Sequence, residues 1–159
     1  MLYYVKTPSP IGDILLVSDG KHLTQVCMSM QKYDAEIGDD WVENRDAEPL
    51  ATAAEQLDAY FSGRLRAFDL PLRMQGTAFQ KLVWQELIKI PFGTTISYGE
   101  LARRVDNPKA SRAVGLANGK NPIAIIVPCH RVIGANGKLT GYGGGLPRKQ
   151  QLLDLESRG

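Results

Sequence analysis

Apolar positions in the first thirty residues fall into three short runs, at 3–6, 14–17 and 23–30. Pro8-Ser9-Pro10 and Gly12 break the first from the second. Asp19-Gly20, a strong hairpin signal, breaks the second from the third. Three strands are predicted. Residues 31–48 are polar and acidic and read as a loop. Leu50, Ala53, Ala54, Leu57 and Phe61 then recur at helical spacing, and Gly63 stands where the helix would stop. Phe68, Leu70 and Leu72 alternate, which predicts a last strand. Strands plus one helix make a small α+β domain.

The pattern changes near residues 73–76, so the chain divides into 1–75 and 76–159. Thr77 with Gln80 forms a capping box, followed by Phe79, Leu82, Val83, Leu87 and Ile90 at helical spacing. Pro91-Phe92-Gly93 ends that helix. Ser97 with Glu100 is a second capping box, opening a short helix that runs to Val105. Asn107 fits an N-cap with Pro108 in the first turn, predicting a third helix over 108–118 that Gly119 stops. Two short helices joined by a tight turn predict a helix-turn-helix. Residues 123–127 are all apolar and predict a buried strand running into Pro128-Cys129-His130-Arg131-Val132. Asn136-Gly137 marks a hairpin turn, and Gly141 to Gly145 form a glycine loop around Tyr142. A final helix over 147–156 carries Leu152, Leu153 and Glu156 on one side.

Composition narrows the function classes. The 159 residues are 43% hydrophobic and 23% charged, ordinary for a folded protein of one large domain or two small ones. Two cysteines cannot make a disulfide scaffold. No apolar run is long enough to span a bilayer, and the N-terminus lacks a basic region followed by an apolar stretch. A cytoplasmic location with no membrane partner is expected.

The net charge of +2 hides a division. Residues 1–75 carry 7 Lys and Arg against 12 Asp and Glu, and residues 76–159 carry 12 against 5. From Arg103 to Lys149 nine basic residues face one acid, Asp106. Such a basic half is either a polyanion surface or a solvated face.

Three features carry candidate chemistry. Cys129 ends an apolar run beside His130 and near Arg131, and nearby positive charge favours the nucleophilic thiolate. The alternative is a buried structural cysteine. Adjacent strand residues point to opposite faces, so adjacency alone does not bring Cys129 and His130 together. Glu156 shares a stripe with Leu152 and Leu153, and a buried carboxylate needs a partner such as His130. A solvated carboxylate near the C-terminus is the other reading. The helix over 108–118 carries Lys109 and Arg112 among small residues, Ala110, Ser111, Ala113, Gly115 and Ala117. Small side chains allow close approach, either to another helix or to a nucleic-acid groove that Arg112 could enter. His22, Cys27, Cys129 and His130 have no finger-like spacing, so no metal site is expected. The glycine loop lacks a following Gly-Lys-Ser/Thr and is not a phosphate loop.

Together these features resemble the alkylguanine-DNA alkyltransferases, also called methylated-DNA–protein-cysteine methyltransferases, in their single-protein microbial form. The most specific match is the run Asn121-Pro-Ile-Ala-Ile-Ile-Val-Pro-Cys-His-Arg-Val-Ile-Gly134. Ile96-Ser97-Tyr98, Ser111-Arg112-Ala113-Val114-Gly115, the loop around Tyr142 and Leu152-Leu153-Asp154-Leu155-Glu156 support it. Ser9-Pro10-Ile11-Gly12 and Leu57-Asp58-Ala59-Tyr60-Phe61 extend it more loosely into the first half.

The resemblance implies an α+β fold. A small N-terminal antiparallel-sheet domain, ribonuclease H-like, would precede a mainly helical, winged-helix-like domain with the helix-turn-helix. It implies direct-reversal DNA repair: transfer of an alkyl group from the 6-oxygen of guanine, and less well from the 4-oxygen of thymine, to Cys129. His130 would act through a water as base, and Glu156 would orient it. Asn121 would hold the active-site turn, and Tyr98 would give the departing guanine a proton. Val127, Val132, Tyr142 and Gly143 would line the pocket, with carbonyls near Val127 and Cys129 reading the exocyclic amine. Gly143 stands where some relatives carry serine or alanine, which implies a roomier pocket. Lys109, Ser111, Arg112, Ala113, Gly115 and Asn118 would meet double-stranded DNA in its minor groove, with Arg112 filling the gap left by the flipped nucleotide. Each molecule would turn over once, without cofactor, as a monomer that could assemble cooperatively on DNA.

Two rival classes fit part of the pattern. A lesion-binding module gives Cys129 no role. A cysteine hydrolase built on Cys129 and His130 does not explain the basic half.

Overall fold

The computed structural model describes residues 1–28, 37–137 and 146–158. They form two compact units. The first is Met1–Gln75 with Pro122–Ala124, and the second is Gly76–Asn121 with Ile125–Gly159.

In the first unit the three apolar runs form β1 (Tyr3–Thr7), β2 (Ile14–Ser18) and β3 (Leu23–Met28), paired antiparallel in sequence order. The β2–β3 turn closes where Asp19-Gly20 predicts. The Asp19 carboxylate accepts from the amides of Lys21 (2.9 Å) and His22 (2.7 Å), and Gly20 takes φ 95°. A two-residue strand, β4 (Val42–Glu43), adds parallel to β1 from the stretch that reads as a loop, giving the order β3-β2-β1-β4. Its two residues are too few for any periodicity to show. Helix α1 (Leu50–Phe61) buries Leu50, Ala53, Ala54, Leu57 and Tyr60.

The strand expected over Phe68, Leu70 and Leu72 does not form. Only Leu72 bridges the sheet, beside Leu23, while Leu23 donates to the Pro71 carbonyl at 2.7 Å. Pro71 has no N–H to extend a ladder.

In the second unit, α2 (Ala78–Ile88) opens with the full capping box: Thr77 Oγ1 accepts from Gln80 N at 3.1 Å and Gln80 Oε1 from Thr77 N at 2.9 Å. Helix α3 (Tyr98–Arg104) has half of its expected box. Ser97 Oγ caps Glu100 N at 3.0 Å, but the Glu100 carboxylate turns to Arg103 (2.9 Å) and Arg104 (3.4 Å). Helix α4 spans Ser111–Gly119, three residues later than expected. Asn107-Pro108 instead form a turn in which Ala110 N donates to Asn107 O at 2.9 Å. Helices α3 and α4 make the helix-turn-helix.

Trp84 of α2 donates its indole N–H to the Ala117 carbonyl at 2.8 Å, in a core shared with Val83, Leu87, Leu101, Val114 and Leu152. Strands β5 (Ile96–Ser97) and β6 (Val132–Ile133) pair in parallel, and α5 spans Leu146–Ser157.

The strand expected over residues 123–127 is a buried turn. Ile123 bridges to Val26, and Ile125 then takes φ 70°. All five side chains are buried as predicted. An apolar run reports burial but does not tell an extended segment from a turned one. Gly137, at φ 80°, donates to Gly134 O at 2.9 Å in the turn expected there. Any strand returning from it, and the glycine loop with Tyr142 and Gly143, lie outside the described residues.

Candidate active site

The buried turn delivers the chain into a 3-10 helical turn, Cys129–Arg131. Pro128 precedes it and its carbonyl accepts from Arg131 N at 3.0 Å. The three side chains therefore radiate from one turn, where the expected strand would have alternated them across two faces. Cys129 is 6% exposed and His130 is fully buried.

Helix α5 brings Glu156 to this turn from the far end of the unit. Its Oε2 lies 2.6 Å from His130 Nε2. The same carboxylate takes a two-point fork from Arg131, Nε to Oε1 at 2.8 Å and Nη2 to Oε2 at 2.9 Å. The Gly93 amide adds a bond to Oε1 at 3.3 Å. Gly93 has φ 76°, and a Cβ there would stand 3.5 Å from the Glu156 carbonyl. Arg131 Nη1 also donates to the Ile90 carbonyl at 2.6 Å, and its Cζ lies 5.8 Å from the Phe92 ring centre.

A buried carboxylate survives only when paired and hydrogen-bonded, and Arg131 supplies both. Glu156 is then an acceptor facing His130 Nε2, which places the neutral ring's proton on Nε2 and its lone pair on Nδ1. Nδ1 is buried and bonds no described residue. Burial pushes the His130 pKa below its usual value, against the pull of Glu156. The imidazole is a neutral ring whose acceptor, Nδ1, no described residue engages.

Two asparagines and a lysine complete the surroundings of Cys129. Asn121 Nδ2 donates to Val127 O at 2.7 Å, and Asn118 Nδ2 to Cys129 O at 3.3 Å. Burial pushes the Cys129 thiol up, while Asn121 and the charge of Lys149 pull it down. Lys149 of α5 is fully buried, with Nζ 5.9 Å from the Tyr98 ring centre. Burial lowers its pKa to about 8, and the Cys129 thiolate opposes that shift. A buried ammonium beside a thiol favours the thiolate.

Several expected roles change. The Val127 carbonyl already accepts from Asn121 Nδ2 and, at 2.8 Å, from Cys129 N, so both lone pairs are taken and it cannot read a base amine as it stands. The Val127 and Val132 side chains are fully buried. Asn118 is 1% exposed and serves the Cys129 carbonyl, so it is not on the outer face of α4. Gly115 turns toward Tyr98, where an added Cβ would meet the ring at 3.6 Å. Lys109, Ser111, Arg112 and Ala113 are exposed. Cys27 is buried in β3 and is not in a disulfide.

Sequence reasoning missed Arg131 and Lys149 as site residues. A signal existed for the lysine: Lys149, Leu152 and Glu156 stand at i, i+3 and i+7, and they are the buried positions of α5. For Arg131 the sequence showed a positive charge near Cys129 but not its carboxylate partner, which lies 25 residues away.

Residues 2–74 match the family description "6-O-methylguanine DNA methyltransferase, ribonuclease-like domain", and residues 78–158 match "6-O-methylguanine DNA methyltransferase, DNA binding domain". The methylated-DNA–protein-cysteine methyltransferase of Methanosarcina acetivorans is 57% identical over 155 residues, covering 98% of each chain. That of Mycolicibacterium paratuberculosis is 55% identical over 159 residues, covering 99% of this chain and 94% of its own. The structure of Mycobacterium tuberculosis OGT in complex with DNA superposes with a TM-score of 0.91 at 51% identity, covering 98% of this chain and 93% of that one. Both units are matched in chain order and nearly end to end, and the chain belongs to the 6-O-methylguanine DNA methyltransferase family.

Proposed function

We propose that this protein repairs O6-alkylguanine in double-stranded DNA by moving the alkyl group onto Cys129, once per molecule. The observation that carries the reading is the buried Glu156–His130 pair, which leaves His130 Nδ1, bonded to no described residue, as the acceptor beside the Cys129 turn.

His130 Nδ1 takes the Cys129 proton through a bridging water, and Glu156 stabilises the imidazolium that results. Lys149 adds a positive charge near the thiolate. Sγ attacks the alkyl carbon, the S–C bond forms and the C–O6 bond breaks. The electron pair leaves with guanine, which takes a proton from Tyr98, and Tyr98 is reprotonated from solvent. The product is a thioether with no good leaving group, so the thiol is not regenerated. No step needs a metal or an organic cofactor.

The alkyl carbon is inaccessible inside a duplex, so the nucleotide is flipped, at a few kcal/mol, less for a damaged pair. Residues 76–159 do this work, with 1–75 as a supporting domain. The exposed face of α4 enters the minor groove, Lys109 and Ser111 hold phosphates, Ala113 allows close approach, and Arg112 replaces the lost stacking. Asn121 keeps the turn before Cys129 closed. O4-alkylthymine is a poorer substrate. The protein acts as a cytoplasmic monomer that can assemble cooperatively along DNA. Among the described residues no helix is long and apolar enough to cross a membrane.

Intact-mass spectrometry after incubation with a duplex holding one O6-methylguanine tests this. A gain of one methyl, saturating at one per molecule, mapping to Cys129 and absent in Cys129→Ala, is expected. Tight lesion binding with no mass change would make the protein a recognition module and remove the roles of His130 and Glu156.

A further inference from the structure

Among the described residues, the large apolar side chain most exposed after Met1 is Leu116, at 62%. A lone surface leucine is ordinary on a helix that faces only water. Its position sets this one apart. Val114, Ala117 and Asn118 form the buried side of α4. Ser111, Arg112, Ala113, Leu116 and Lys120 are exposed. By helical spacing Leu116 stands one turn beyond Arg112 and Ala113 and one turn before Gly119 and Lys120. It is the single bulky apolar group at the centre of a face otherwise made of small or cationic residues.

We infer that Leu116 is a specificity-determining contact in the minor groove, packing on the groove floor near the flipped nucleotide and disfavouring a G·C pair there. The inference rests on the proposed reading of α4 as the DNA-facing helix. Four helical residues advance about 6 Å and one base-pair step about 3.4 Å. With α4 running along the groove, Leu116 falls one to two pairs from the position Arg112 fills. At the centre of the groove floor an A·T pair presents an apolar adenine C2–H, whereas a G·C pair presents the guanine amino donor. A leucine set over that amine strips its water and returns no hydrogen bond, which costs binding. Lys120 and Lys109 would contribute differently, through phosphates, and their share depends on salt.

The test uses duplexes with one O6-methylguanine whose neighbouring pairs, one and two steps to either side, are set to A·T or G·C. The DNA concentration for half-maximal methyl transfer is measured for the unmodified chain, Leu116→Ala, Lys109→Ala and Lys120→Ala. Affinity for unmodified duplex is followed against salt, and the unfolding midpoint of each variant confirms folding. Leu116→Ala is expected to raise the half-saturating concentration about tenfold on the A·T duplexes. It is also expected to remove most of the A·T preference and to leave the salt slope unchanged, whereas each lysine variant lowers that slope.

Equal weakening on every duplex overturns the discrimination. Unchanged binding by Leu116→Ala, with a lowered slope in the lysine variants, puts Leu116 outside the groove while α4 remains the DNA face. No change in any of the three variants removes α4 from the DNA face and overturns both readings.

Discussion

Arg131 and Glu156 meet in a buried two-point ion pair, Nε to Oε1 at 2.8 Å and Nη2 to Oε2 at 2.9 Å, and the same carboxylate holds His130 Nε2 at 2.6 Å. One carboxylate thus neutralises a buried guanidinium and orients the imidazole. Glu156→Gln breaks both relationships, because a neutral amide leaves Arg131 as an uncompensated buried charge. Loss of about 3–5 kcal/mol of stability is expected in urea unfolding, together with at least a hundredfold slower methyl transfer in single-turnover assays. Arg131→Lys cannot reproduce the fork and should fall between Glu156→Gln and the unmodified chain.

The pH dependence of transfer should follow His130. Burial holds its pKa below the usual 6.5, so the base is neutral at pH 7 and is lost only as pH falls below 6.5. On the alkaline side the rate should keep rising, because burial pushes the thiol up. Stability follows the same group. Between pH 6.5 and the lower folded pKa the unfolded chain binds a proton that the folded chain does not, so stability falls as pH falls. Unfolding midpoints of His130→Gln across pH 7 to 5 should lack that share of the slope. An identical slope in both chains would assign it elsewhere.

Lys149 should trade stability against reactivity. Burial lowers its pKa from 10.5 to about 8, so the unfolded chain binds more protons between those values and stability rises with pH across that window. Lys149→Met should flatten the rise. It should also slow transfer at pH 7 and move the alkaline limb of the rate profile upward, since the thiolate loses a positive neighbour. A rate profile that does not move would leave the lysine a structural role only.

Asn118 should behave as part of the cysteine turn. Asn118→Ala frees the Cys129 carbonyl from a 3.3 Å bond. Transfer about fivefold slower at saturating DNA is expected, from roughly 1 kcal/mol for one hydrogen bond, with DNA affinity within twofold of the unmodified chain. Weakened binding at an unchanged saturating rate would return Asn118 to the DNA face.

Features whose cause lies within a few residues were legible in the chain itself. Asp19-Gly20 closes the β2–β3 hairpin because its carboxylate reaches amides two and three residues on. Thr77 and Gln80 begin α2 because their side chains satisfy each other's amides. The family resemblance rests on local strings of the same kind, above all Pro128-Cys129-His130-Arg131. One boundary shifted even though two local signals agreed. Asn107 suits an N-cap and Pro108 a first helical turn, but the backbone closes a turn from Asn107 to Ala110 there, and α4 starts at Ser111.

Only the tertiary structure decided what became of charge and shape. The apolar run 123–127 promises burial equally as strand or turn, and Asn121 closing on Val127 accompanies the turn. In sequence Arg131 reads as a positive charge near Cys129 and Lys149 as one more member of a basic half. One is paired with a carboxylate 25 residues along the chain and the other is buried on the stripe of α5 that ends in Glu156. Desolvation and Coulomb attraction act through space, so which charge is buried, and against what, is settled by packing rather than by chain order.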